Sequence, residues 1–167
     1  QSTDMMREII RSYLVPHVAP TLAYSSFDAW RGLPALETAP GQTSGENPVL
    51  AGFLAQFGTI KTALEATIQR SVKERDDLII DGVHVLPTRL DLSELRDKAV
   101  LVPVLLAVPN IGRLDDRLRR RSREQPDRDS DRQRQALSAI WELQTYMIDQ
   151  AQKAAIPIIA NWSVEES

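Results

Sequence analysis

Three apolar runs constrain this chain more than anything else in it: "DDLIIDGVHVLP", "KAVLVPVLLAV" and "IPIIAN". None alternates polar and apolar residues as a half-exposed strand would, and Gly or Pro punctuates each, so each reads as a short strand buried on both faces. The strands are predicted over Leu78 to about Val83, residues 99–107 and residues 156–160, as parallel neighbours in one sheet. Helical patterns separate them. Phe53, Phe57, Ile60, Leu64, Ile68 and Val72 form one stripe, and Leu137, Ile140, Trp141, Ile148 and Ala151 mark the inner face of a helix over about 130–155. Buried strands alternating with long helices predict a parallel α/β sheet covered on both faces. At 167 residues the chain has the length of one ordinary domain.

Composition removes several function classes. Without cysteine there are no disulfides and no thiolate metal sites, which fits a reducing cytoplasm. The longest apolar run is too short to span a bilayer and contains a proline, and no basic segment leads into an apolar signal-like stretch. The net charge of −3 argues against generic nucleic-acid binding. Oligomeric state leaves no mark on the sequence.

At the start, "QSTDMMREIIR" runs a polar cluster straight into a helix. Ser2, Thr3 and Asp4 supply N-cap chemistry, while Met6, Ile9, Ile10, Tyr13 and Leu14 keep helical spacing until Pro16. Asp4 and Arg7 lie three apart, on one face of the first turn, where a helix N-terminus favours anions. Such a pair can orient a hydroxyl and a carboxylate or phosphate on a small substrate; an N-cap aspartate and a surface arginine would look the same. Residues 15–48 are predicted as loop and short helix, punctuated by five prolines from Pro16 to Pro48.

Ligands of open parallel α/β sheets bind beyond the carboxyl ends of the strands. Asp81-Gly82 with His84 follows the first predicted strand, and Asn161 follows the last. A carboxylate in the position of Asp81 can hold a Mg²⁺-bound water, or it can cap a turn. Arginine is far commoner than lysine and crowds into Arg113–Arg134, with Arg117/Arg121 and Arg128/Arg132 spaced i, i+4. Arginine without lysine points to bidentate phosphate recognition. The interleaved Asp115, Asp116, Glu124, Asp127, Asp129 and Asp131 make many of these arginines surface ion pairs, leaving two to four for ligand.

In order along the chain, "STDMMREIIR", "PTLAYSSFDAW", "LIIDGVHVLP", "LRRRSRE", "LQTYMIDQA" and "IPIIAN" resemble the 2-phosphoglycerate kinases. These are P-loop kinases that convert 2-phosphoglycerate to 2,3-bisphosphoglycerate with ATP. "STDxxR" is also similar to the substrate-binding start of adenylate kinases. The resemblance implies one domain over residues 1–167 with a three-layer parallel sheet of the P-loop kinase type and an arginine-rich helical lid over 113–134. ATP and Mg²⁺ are the implied cofactors, and a phosphorylated small molecule the implied acceptor. Carried over, Asp4 would orient or deprotonate the acceptor hydroxyl. Ser2, Thr3, Arg7, Ser25, Ser26 and His84 would bind the acceptor, Asp81 would serve Mg²⁺, and Asn161 would meet the nucleotide. Arg117 and Arg121 would act on the transferring phosphoryl, with Arg128 and Arg132 beside them in the lid.

Three departures stand out. No G-x-x-x-x-G-K-[ST] occurs, since "GQTSGENP" lacks the lysine. The resemblance therefore implies a glycine-rich segment upstream of residue 1, a closing helix beyond "IPIIAN", and a chain incomplete at its start. The family usually has Glu-Gly where Asp81-Gly82 stands, so metal contact here would run through water. The position of Trp141 is often basic in the family, so no ligand role is carried over to it. Two other readings stay open: a kinase for a sugar acid or nucleotide, and a non-catalytic domain that binds a phosphometabolite. A Walker A loop upstream would separate the kinases from the latter.

Overall fold

The computed structural model describes residues 1–34, 47–95, 97–124 and 136–161. The chain divides into two compact units, Gln1–Val102 and Pro103–Ser167.

In Gln1–Val102, helix α1 spans Thr3–Tyr13. Ser2 is its N-cap: extended at φ −96°, it accepts a hydrogen bond from the Asp4 amide at 3.3 Å. Leu14 closes the helix by donating to Ile10, so α1 stops short of Pro16 as the sequence predicts. Two single turns of 3₁₀ helix follow, Pro20–Ala23 and Ala29–Gly32. Helix α2, Pro48–Glu74, starts where Asn47 accepts from the amides of Val49 and Leu50 and Pro48 pre-sets φ. It ends at Arg75 in the left-handed region (φ 61°). The first four members of its predicted stripe, Phe53, Phe57, Ile60 and Leu64, are buried and form the core of this unit, while Ile68 and Val72 are half-buried. Ile60 packs with Ala19 and Leu22, and the Met6–Ile10 face of α1 lies against them. Gly52 lets the 3₁₀ turn touch α2, because a Cβ there would stand 2.1 Å from the Trp30 amide nitrogen.

In Pro103–Ser167, strand β1 (Leu105–Ala107), helix α3 (Ile111–Glu124), helix α4 (Leu137–Lys153) and strand β2 (Ile158–Ala160) follow one another. The strands pair in parallel, Leu105 opposite Ile158 and Ala107 opposite Ala160, and α4 packs against both. Leu143 and Ala151 are the buried residues of α4; Leu143 lay outside the predicted inner face. Leu114 and Leu118 are their counterparts on α3. The part of the predicted helix before Ala136 lies outside the described residues.

The predicted sheet is met in part. β1 and β2 are parallel neighbours, as predicted, but shorter than their apolar runs. Their ladder opens at Leu105, whose amide donates to Pro157 at 2.9 Å, and the missing amides of Pro103 and Pro157 limit its extent. Residues 78–83 form no strand. Asp81 makes one parallel bridge, to Ser2, and the pairing ends because the partner segment turns into α1 at Thr3. The architecture is thus mixed helical with a small parallel sheet of two strands among the described residues. No helix among them is long and apolar enough to cross a membrane.

Candidate functional site

The start of α1 is fastened to the Asp81 turn. The Gln1 amino group donates to the Ile79 carbonyl (2.7 Å), the Asp81 amide to Gln1 (2.9 Å) and the Thr3 amide to Asp81 (2.9 Å). Gly82 completes the close approach. Its φ of +132° is one that L side chains rarely adopt, and a Cβ there would lie 1.9 Å from Thr3 Oγ1. The result bridges Ser2 to the exposed Asp81 at the positive end of the helix whose first turn carries the exposed Asp4.

Behind this surface lies a buried polar network. His84 is 0% exposed and stacks on Phe53 with ring centroids 5.7 Å apart. Its Nε2 lies 2.8 Å from Gln56 Oε1, and its Nδ1 lies 3.4 Å from Thr3 Oγ1. Gln56 Nε2 donates to the carbonyls of Thr21 (2.6 Å) and Tyr24 (2.9 Å). Those carbonyls fix which end of the amide faces the histidine. Oε1 can only accept, so His84 carries its proton on Nε2, and Nδ1 accepts from the Thr3 hydroxyl. Burial is the main reason the imidazole pKa falls to about 4; the Asp4 carboxylate pulls it back up and the Arg7 guanidinium pushes it further down. His84 is therefore neutral near pH 7.

Arg7 forms one wall. Its Nη1 donates to the Tyr24 carbonyl at 2.6 Å, the same oxygen that Gln56 holds. Its Nε is buried without a hydrogen-bond partner among the described residues. A buried guanidinium donor left unsatisfied is costly, and an anion is its natural partner. Ser25 and Ser26 follow Tyr24 directly and are half-buried, with Ser25 accepting from the Asp28 amide to close the turn.

In Pro103–Ser167 Asn161 follows the carboxyl end of β2, and Arg117 and Arg121 lie on α3. Asn161 donates its amide to Ala107 at 2.8 Å. Arg117 Nη2 donates to the Asn161 carbonyl (2.5 Å) and to its Oδ1 (3.3 Å). Beyond β1, Gln144 of α4 clamps the Val108 backbone, accepting from its amide at 2.8 Å and donating to its carbonyl at 3.1 Å. Arg119 pairs with Asp115 (2.8 Å) and Arg120 with Glu124 (3.6 Å), so these two arginines of the cluster are surface ion pairs. Arg121 is exposed.

The structure thus brings together Ser2, Thr3, Asp4, Arg7, Asp81 and His84, with Ser25 and Ser26 on the adjoining loop. Two of these depart from the expected roles. Thr3 and His84 are fully buried and bonded to each other, so they support the site from behind and present no surface to a ligand. Arg128 and Arg132 lie outside the described residues. Gln56 was missed by sequence reasoning; its only signal was a polar residue inside the apolar stripe between Phe53 and Ile60. Among the described residues no three His, Cys, Asp or Glu side chains cluster as a metal site.

Among known proteins the chain is similar to several 2-phosphoglycerate kinases. A 2-phosphoglycerate kinase of Pyrococcus horikoshii is 31% identical over 165 residues, which is 99% of this chain and 51% of that protein. Those of Pyrococcus furiosus and Methanopyrus kandleri are each 30% identical, over 99% of this chain and 51% and 48% of their own lengths. The chain is a homologue of the 2-phosphoglycerate kinases. It spans about half the length of these relatives. No family model matches it, and no solved structure does.

Proposed function

We propose that the natural protein carrying this chain transfers the γ-phosphoryl of ATP to 2-phosphoglycerate, giving 2,3-bisphosphoglycerate, and that Gln1–Val102 supplies the acceptor site. The observation that carries this reading is the match of 99% of the chain to proteins of that name. The half-buried Arg7 guanidinium, anchored by Nη1 to the Tyr24 carbonyl, supports it as the cation that a phosphorylated, carboxylate-bearing acceptor needs.

In the proposed reaction the acceptor's free hydroxyl oxygen attacks the γ-phosphorus and the bond to the ADP oxygen breaks. The exposed Asp4 carboxylate orients the hydroxyl and takes its proton. Arg7, with Ser2, Ser25 and Ser26, holds the acceptor's phosphate and carboxylate, while Thr3 and His84 keep α1 in place. Mg²⁺, when bound with ATP, neutralises phosphate charge; it is commonly held by one or two carboxylates, waters and the phosphates themselves, which a lone exposed Asp81 fits through water. Arg117 and Arg121 are assigned to the transferring phosphoryl, Asn161 to the nucleotide, and Arg128 and Arg132 to a lid over 113–134. A single domain of the three-layer P-loop kinase type and a cytoplasmic location belong to the same proposal.

The test is transfer of label from γ-labelled ATP to 2-phosphoglycerate, with glycerate and nucleoside monophosphates as rival acceptors. Labelled 2,3-bisphosphoglycerate from the natural protein is expected. The 167 residues alone carry no G-x-x-x-x-G-K-[ST] and should give none. Preferential labelling of a rival acceptor would overturn the substrate, and turnover by the 167 residues alone would overturn the assignment of phosphate binding to a glycine-rich loop.

A further inference from the structure

We propose that Gln56 is the positioning residue of the acceptor site, one amide that ties Arg7 and the start of α1 to the same rigid helix. The inference rests on the reading that Arg7 and the first turn of α1 bind the acceptor.

Gln56 sits on the apolar face of α2 and is 0% exposed. A buried primary amide is costly unless bonded, and an aliphatic side chain would fill the same volume without that liability. Here the amide makes three bonds, two to backbone carbonyls of one 3₁₀ turn and one to the His84 ring. Nε2 holds Thr21 and Tyr24, and Oε1 holds His84. Each bond leads to the site. The Tyr24 carbonyl is where Arg7 Nη1 rests, so its placement sets the reach of the guanidinium. Ser25 and Ser26 continue from the same residue. His84 in turn meets Thr3, whose amide is held by Asp81. One side chain therefore braces both the arginine wall and the carboxylate-bearing floor. Gln56 touches neither acceptor nor reacting atoms; it acts through Tyr24 and His84.

Two variants of the natural protein test this. Gln56→Met keeps the length and removes all three bonds. Gln56→Glu keeps the shape and sets oxygen against the Thr21 and Tyr24 carbonyls. The KM for 2-phosphoglycerate should rise about 10- to 100-fold in each, with the KM for ATP nearly unchanged, as displacement of a substrate-positioning group predicts. Amide exchange at residues 21–28 should accelerate in Gln56→Met while that of α3 stays as it is. Folded variants with the wild-type acceptor KM would overturn the proposal and make Gln56 a core residue only. If neither variant folds, nitrogen NMR of the wild type decides: His84 protonated on Nε2 supports the brace, and a proton on Nδ1 overturns it. Should the wild-type protein transfer no phosphoryl to 2-phosphoglycerate, the kinase reading falls by itself. Exchange at residues 21–28 then decides the brace alone, faster in Gln56→Met if it exists and unchanged if it does not.

Discussion

Both units carry exposed ion pairs one helical turn apart, Arg70–Glu74 in Gln1–Val102 and Arg119–Asp115 and Arg120–Glu124 in Pro103–Ser167, but they differ in what they enclose. Gln1–Val102 fully buries Thr3, Gln56 and His84, with His84 bonded to both of the others. Among the described residues of Pro103–Ser167 no polar side chain is buried in this way. A buried, satisfied network resists displacement, because each broken bond strands a desolvated group. An exposed i, i+4 pair is worth only about 0.3–0.5 kcal/mol and exchanges freely with solvent or ligand. The proposed reaction assigns the enclosed network to holding the acceptor and the arginines of α3 to a phosphate.

The arginines give the largest expected effect. In the proposed kinase, Arg117→Ala or Arg121→Ala should lower turnover by about 10³-fold, the scale of an arginine finger, and lysine should not restore it because it lacks the planar fork. Near-normal turnover in both would reduce α3 to a solvated face and leave only half of the contrast standing.

The next tests bear on the rigid half. Gly82→Ala places a Cβ 1.9 Å from Thr3 Oγ1 at a φ of +132°. It should cost about 3 kcal/mol or more in urea unfolding, well into the diagnostic range for a single substitution. Wild-type stability in that variant would mean that α1 is not fastened to the Asp81 turn. The buried histidine predicts an acid weakness of similar size. Its folded pKa of about 4 lies below the ordinary 6.5, so the unfolded chain binds the proton first as the pH falls. Stability from this group is whole above 6.5 and is lost towards pH 4, about 3 kcal/mol in all by linkage. His84→Gln should flatten that part of the pH profile; an unchanged slope would show that His84 is not held neutral.

The smallest effect lies at the end of α4. Ala155 has a φ of 53°, in the left-handed region, beside the bond from the Ile156 amide to the Ala151 carbonyl that closes the helix. Ala155→Gly should stabilise the chain by up to about 1 kcal/mol, seen as a raised Tm. Destabilisation would mean that the alanine methyl contributes more by packing than its backbone strain costs.

What could be read in the sequence follows the range of the interactions. Ser2 as cap and the Phe53–Leu64 stripe are local patterns, and both appear as predicted. The apolar runs marked β1 and β2, but ladder length depends on partners and on Pro103 and Pro157, which no single run reveals. Asp4, Arg7 and Asp81 were legible as chemistry, whereas their juxtaposition rests on the Ser2–Asp81 bridge, a contact across the whole of α2. Gln56 was illegible because its three partners are distant in sequence and two are carbonyls, which carry no residue signature.

The central claim is that the start of α1, Arg7 and the Tyr24–Ser26 loop form an acceptor site within Gln1–Val102. Titrating 2-phosphoglycerate into the 167-residue chain and following backbone amides by NMR tests it directly. The account predicts weak, saturable shifts concentrated at Ser2–Arg7 and Tyr24–Ser26, diminished by added salt and abolished by Arg7→Ala. Shifts confined to the arginines of α3, or shifts that survive Arg7→Ala, would contradict it.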